Sequence, residues 1–150
     1  MTSSELQEYL HEHIPLSKAM QVAVILVEEE SVVLSAPLAP NINHRETVFG
    51  GSASAVAILA AWSLLHTRLR SVGVVRRLVI QRHTMNFDLP ISGTFTARSF
   101  IAQPAAWQQF MHVLARKGRA RITVSSVLEF RSTVVARLEG EFVAFGQDGA

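Results

Sequence analysis

The chain has 150 residues, 49% of them hydrophobic and 17% charged, which describes a folded domain with a real core and excludes a disordered segment. The absence of cysteine excludes disulfides, thiolate zinc sites and a cysteine nucleophile. A formal net charge of +2 leans weakly towards an anionic ligand, and every cation except Lys18 and Lys117 is an arginine. The arginines are scattered and aromatic residues make up only 7%, whereas nucleic-acid binding leaves a concentrated basic footprint with interleaved aromatics.

In chain order, Ser4-Glu5-Leu6-Gln7 reads as a capping box, with Leu6, Tyr9, Leu10 and His13 on one helical face. Ile14-Pro15 ends that helix, because the residue before proline is pushed out of the α region. Two β-branched runs, Met20–Glu28 and Val32–Leu38, flank the polar turn Glu28–Ser31 and predict a hairpin. An irregular stretch from Asn41 to Thr47 follows, then the glycine pair Gly50-Gly51. Next is a helix from Ser52 to about Leu69 with almost no polar face.

Val48 to Leu65 carries no charge, but its helical part is too short to span a bilayer, so a helix buried inside the domain is expected. Strands are expected over Val74–Phe87 and Thr94–Ile101. A short amphipathic helix should start at Pro104 and end at Gly118. Two strands with one wet face close the chain. In the first, Ile122, Val124, Leu128 and Phe130 oppose Arg121, Thr123 and Glu129. In the second, Val134, Ala136, Leu138 and Phe142 oppose Arg137, Glu139 and Glu141. The sum is a single α+β domain over residues 1–150, a six-stranded antiparallel sheet wrapped around one long central helix.

The chemistry is expected at Asn41–Ser52. Two glycines opening a helix expose N–H groups that favour negative charge, either a phosphate or the oxyanion of a thioester under attack. They also suit a tight loop for backbone reasons alone. Ser52 reads as the N-cap of the helix. His44, Glu46 and Asp88 are candidate proton acceptors. For each there is a structural alternative: an exposed loop for His44 and Glu46, and turn initiation before Pro90 for Asp88. Asn43 either orients reactants or shapes the loop through an Asx turn. Along the third strand, Arg76 and Arg82 should share a face opposite Arg77 and His83, and one set could bind phosphates. The six histidines show no metal-ligand spacing, so no metal is expected.

The run Asn-x-Asn-x-x-x-Thr-x-Phe-Gly-Gly-Ser from Asn41 to Ser52, leading into Leu-Ala-Ala-Trp-Ser-Leu, resembles the YiiD C-terminal type of hotdog thioesterase domain. The resemblance covers nearly the whole chain. It implies the hotdog fold, a homodimer or tetramer, and an active site at the dimer interface. An acyl-CoA or acyl-carrier-protein thioester would be hydrolysed there, with coenzyme A as part of the substrate and no separate cofactor.

On that reading Asn43, Gly50, Gly51, Asp88, His44 and Glu46 are the catalytic candidates. Asn41, Thr47, Phe49, Ser52, Asn86, Arg76 and Arg82 are the substrate-binding ones. More distant hotdog thioesterases carry Asn-x-x-Gly-x-x-His-Gly-Gly before the same helix and an acid within it. Here Phe49 replaces the histidine, Glu46 the first glycine and Ile58 the acid. The alternative is therefore a non-catalytic acyl-CoA or fatty-acyl binding domain. A basic nucleic-acid-binding domain is a third class, motivated by the arginines alone. With no basic-then-apolar leader at Met1–Glu5, a cytoplasmic location off the membrane is expected.

Overall fold

The computed structural model describes residues 1–146. Helix α1 (Ser3–His13) opens with a capping box two residues earlier than the sequence pattern suggests. The Thr2 hydroxyl accepts from the Glu5 N–H at 3.1 Å, and the Glu5 carboxylate accepts from the Thr2 N–H at 2.9 Å. Ile14 separates α1 from the short α2 (Pro15–Ala19). The expected hairpin follows as β1 (Ala23–Val27) and β2 (Val32–Ala36), paired antiparallel. A single 3-10 turn, Ala39–Asn41, leads into the loop before the long helix α3 (Gly50–Ser71).

The second half contains β3 (Arg77–Phe87), β4 (Phe95–Phe100), α4 (Ala105–Lys117), β5 (Arg119–Phe130) and β6 (Thr133–Phe145). Gly118, at φ 70°, ends α4 in the left-handed conformation that glycine adopts without a Cβ penalty. All neighbours are antiparallel, in the order β1-β2-β4-β5-β6-β3, so β1 and β3 are the edges.

The sheet curls around α3, which packs against β2, β3, β4, β5 and β6. Ala57, Ala60 and Ala61 are fully buried, and their small side chains let the helix backbone sit close to the strands. One contact is a direct bond: the Ser126 hydroxyl of β5 donates to the Ala57 carbonyl at 2.7 Å. Leu64, Leu65, Phe95 and Phe142 complete the centre of the core. This is the arrangement expected of a hotdog fold. Near the C-terminal end of α3, Tyr9 of α1 stacks on His66, which stacks on Trp62, with centroids 4.6 Å apart in both pairs. Among the described residues no helix is long and apolar enough to cross a membrane.

Two strand assignments shift in phase, both at bulges. Pairing between β5 and β6 slips at Leu128/Glu129, so Val135 rather than Val134 joins the buried row, and Val134 is exposed. Pairing between β3 and β6 slips between Ile80 and Arg82, which reverses the in–out alternation along β3. Arg76 and Arg82 therefore do not share a face. Arg76 precedes the strand and is half-buried, whereas Arg82 is exposed and pairs across strands with Glu141 at 3.6 Å.

A glycine-led helix end beside an apolar cleft

The loop before α3 is closed at its base and tightly turned at its tip. Phe49 N–H donates to the Asn41 carbonyl at 2.7 Å, and Ile42 bridges Val48. Asn41 is 2% exposed, and its Nδ2 donates to the Met20 and Pro37 carbonyls at 3.0 and 2.8 Å. Its side chain thus lies inside the protein and clamps the loop to the β1–β2 hairpin.

At the tip, Asn43 Oδ1 accepts from the Arg45 and Thr47 N–H groups at 2.8 and 3.1 Å, while its Nδ2 donates to Thr47 Oγ1 at 2.9 Å. This is the Asx geometry that the sequence allows, and it occupies both ends of the amide. It bends the chain enough to hold Glu46 at φ 62°, a conformation that costs about 1 kcal/mol for a residue with a Cβ. His44, Arg45 and Glu46 are exposed on this tip.

The N-cap of α3 is Phe49 rather than Ser52. No side chain caps the helix, because the glycine pair is already helical and Ser52 lies inside the first turn. The N–H groups of Gly50, Gly51 and Ser52 have no acceptor among the described residues, while Ala53 N–H donates back to Phe49 at 3.0 Å. Three aligned donors and the positive end of a 22-residue helix dipole favour an oxygen that carries negative charge.

Each glycine lies under an aromatic ring. A Cβ on Gly50 would sit 3.6 Å from the Phe87 ring, and one on Gly51 would sit 2.3 Å from Phe49 Cε2. Both rings are more than half exposed. Gly50 also borders a cleft of about 330 Å³ lined by Val48, Ala53, Phe87, Asp88, Leu89 and Ile91. Apart from Asp88 its walls are apolar, which suits a hydrocarbon chain better than a sugar or a peptide.

Asp88 is on the lip of this cleft in the same chain as Gly50. Its carboxylate accepts from Arg137 Nε at 3.1 Å, and its N–H donates to the Val135 carbonyl. Asn86, paired with Arg137 across β3 and β6, lies one alternation away from Phe87 and so on the opposite face of the sheet. The structure thus gathers Gly50, Gly51, Ser52, Phe49 and Asp88 at one place. It sets Asn43, His44, Glu46 and Thr47 on the adjoining loop, Asn86 behind the sheet, and Arg76 at the far end of α3.

Phe87, Leu89, Ile91 and Arg137 were not candidates in the sequence. The signal for Phe87 was its position, an apolar residue ending a long strand just before Asp88-Leu89-Pro90. Arg137 gave none, because its pairing with Asp88 depends on strand register. No group of three or more His, Cys, Asp or Glu side chains among the described residues could share a metal ion.

A family model described as "Putative thioesterase (yiiD_Cterm)" matches residues 3–146. Among solved structures, the chain is similar to a protein of unknown function from Chlorobaculum tepidum, with TM-score 0.90 and 23% identity over 97% of this chain and 94% of that one. It is also similar to a putative thioesterase from Shewanella oneidensis, with TM-score 0.85 and 22% identity over 96% and 97%. A thioesterase from Haemophilus influenzae matches with TM-score 0.78 and 11% identity over 97% and 92%. At these identities the structural likenesses establish the fold.

Proposed function

The chain belongs to the yiiD C-terminal family of thioesterases, and from that premise we propose that it hydrolyses acyl-CoA or acyl-carrier-protein thioesters as a homodimer. The observation that carries this is the uncapped start of α3, with its free N–H groups beside an apolar cleft. The acyl chain lies in the cleft, and the thioester carbonyl oxygen faces the N–H groups of Gly50 and Gly51. Water adds to the carbonyl carbon, and the negative charge that develops on oxygen is held by those donors. Asp88 takes the proton from water, the C–S bond breaks, and the proton passes to the departing thiolate, giving acid and thiol.

Asp88 is preferred over His44 and Glu46 because it alone borders the same cleft as Gly50 and because Arg137 fixes its carboxylate. Phe49 and Phe87 flank the reacting carbon, while Asn43 and Thr47 hold the loop that positions Phe49. The dimer forms through β3, an edge strand whose exposed side chains include Val79 and Phe87.

A second reading has one observation in its favour. No acidic residue occurs anywhere in α3, and half-buried Ile58 occupies its middle. In that case the cleft holds an acyl-CoA or fatty acyl group without turning it over.

Thiol release from acyl-CoAs ranging from acetyl to palmitoyl separates the two. The hydrolytic reading expects a chain-length optimum, and an Asp88→Ala rate at least about tenfold lower. A variant within about twofold of wild type removes Asp88 from the mechanism and returns His44 and Glu46 to consideration. Binding without thiol release from any substrate leaves the non-catalytic domain.

A further inference from the structure

The cleft beside Gly50 is open at one end and closed at the other. Phe87, Asp88 and Leu89 form its exposed mouth, while Ala53, Ala136 and Ile91 form a buried floor. Strand register shows what lies behind that floor. Phe87 of β3 pairs with Ala136 of β6, and both line the cleft. Two residues further along, Met85, Leu138 and Ser126 pair across β3, β6 and β5 as the next inward row. Where Ala136 offers the cleft a methyl group, buried Leu138 sets an isobutyl group across the way.

The helix closes the same place from its own side. Gly50 and Ala53 line the cleft, and Ala57 follows on that face one turn further on. Its carbonyl accepts from the Ser126 hydroxyl at 2.7 Å, so helix and sheet are in direct contact there. None of Ala57, Ser126 and Leu138 lines the cleft, which stops short of this row. From Ala136 to Leu138 the strand covers about 6.8 Å. From Gly50 to Ala57 the helix covers about 10.5 Å. A zigzag of roughly 1.5 Å carbon–carbon bonds advances about 1.3 Å per carbon. The first span therefore admits about five carbons and the second about eight.

We propose that Leu138, backed by the Ser126–Ala57 bond, is the chain-length stop of the site, so that the protein takes thioesters of acyl groups up to about eight carbons and excludes longer ones. This rests on the hydrolytic reading above and adds to it the acyl class and the residues that set it. Ala136 admits the chain, and Leu138 ends it.

The test is kcat/KM of the full chain for acetyl-, hexanoyl- and dodecanoyl-CoA. In wild type, hexanoyl-CoA should exceed dodecanoyl-CoA by at least about tenfold. Leu138→Ala opens the wall and should raise the dodecanoyl-to-hexanoyl ratio at least about tenfold. Ala136→Val raises the floor and should lower the hexanoyl-to-acetyl ratio by the same factor. Each ratio is taken within one protein, so a partly unfolded variant does not imitate either shift. Should Leu138→Ala fail to fold, Ala136→Val decides alone. A wild type that hydrolyses dodecanoyl-CoA as well as hexanoyl-CoA, or an Ala136→Val profile equal to wild type, overturns the proposal. An unchanged ratio in folded Leu138→Ala overturns the assignment of the stop to that residue. Should no thioester be hydrolysed, the hydrolytic reading fails by itself, and calorimetric Kd values for hexanoyl-CoA and dodecanoyl-CoA still decide the stop. Hexanoyl-CoA binding at least about tenfold tighter in wild type supports it, and equal binding or none overturns it.

Discussion

Asn43 illustrates how a polar residue beside the proposed reaction site can act at one remove. Its amide makes three local hydrogen bonds that shape the loop carrying Phe49. Asn43→Ala removes all three, and hydrolysis is expected to fall at least about tenfold. Asn43→Asp keeps the acceptor for both N–H groups, and the Thr47 hydroxyl can donate to its second oxygen. Its rate should stay within about threefold of wild type if the turn is the whole role. A collapse of the Asp variant, with its thermal stability intact, would instead put the Asn43 N–H donors on the substrate.

His66 makes a prediction about stability. Burial, then the charge of Arg70, then that of His13, lowers its pKa from 6.5 to about 4. Tyr9 and Trp62 cover its ring and supply no compensating negative charge. The unfolded chain therefore takes up a proton between these two values that the folded chain does not. Stability is complete above about pH 6.5 and is lost as pH falls towards 4. Allowing for the part of the ring still open to solvent, the loss is on the order of 2 kcal/mol. Urea midpoints at neutral and acid pH should converge less for wild type than for His66→Phe, which keeps the ring stack. Equal pH slopes in the two proteins would refute this.

Among the elements, α3 matters most, and its glycine start separates stability from function. Alanine is the better helix former by about 1 kcal/mol, so Gly51→Ala should melt no lower than wild type. The new methyl would nevertheless meet Phe49 Cε2 at 2.3 Å and drive that exposed ring aside. Thiol-release rates should therefore drop while Tm holds or rises. A variant that loses both would mean that the ring position matters to folding.

Most of the element order was legible from period, three to four in α1 and α4 and two in β5 and β6, and α3 from its lack of a polar face, whereas the five-residue α2 was too short to show a period. Phase was less legible. The bulges at Ile80/Arg82 and Leu128/Glu129 follow from strand pairing, so neither the separation of Arg76 from Arg82 nor the burial of Val135 could be seen in a single strand. The helix N-cap was misplaced to Ser52 because capping statistics favour hydroxyls, whereas Gly50 and Gly51 let the helix begin two residues sooner. Of the site, the glycine pair and Asp88 stood out by residue type. Their shared cleft, and the hold of Arg137 on Asp88, required the tertiary fold.

For the whole molecule, the proposed pairing of two β3 edges would tie stability to the amount of protein present. The exposed side chains of that strand, Val79 at 46% and Phe87 at 56%, would be covered when two such edges meet. If they meet before the protein is active, one folded particle melts into two free chains, and mass action enters the melting curve. Each hundredfold dilution then removes roughly 2.7 kcal/mol of apparent stability. Denaturation midpoints should climb with chain concentration, and enzymatic rate per chain should fall on dilution over the same range. Midpoints that ignore concentration would mean that the β3 edge stays single. A cell making little of this protein would then hold less activity than its chain count suggests, since its working unit forms as the square of the supply.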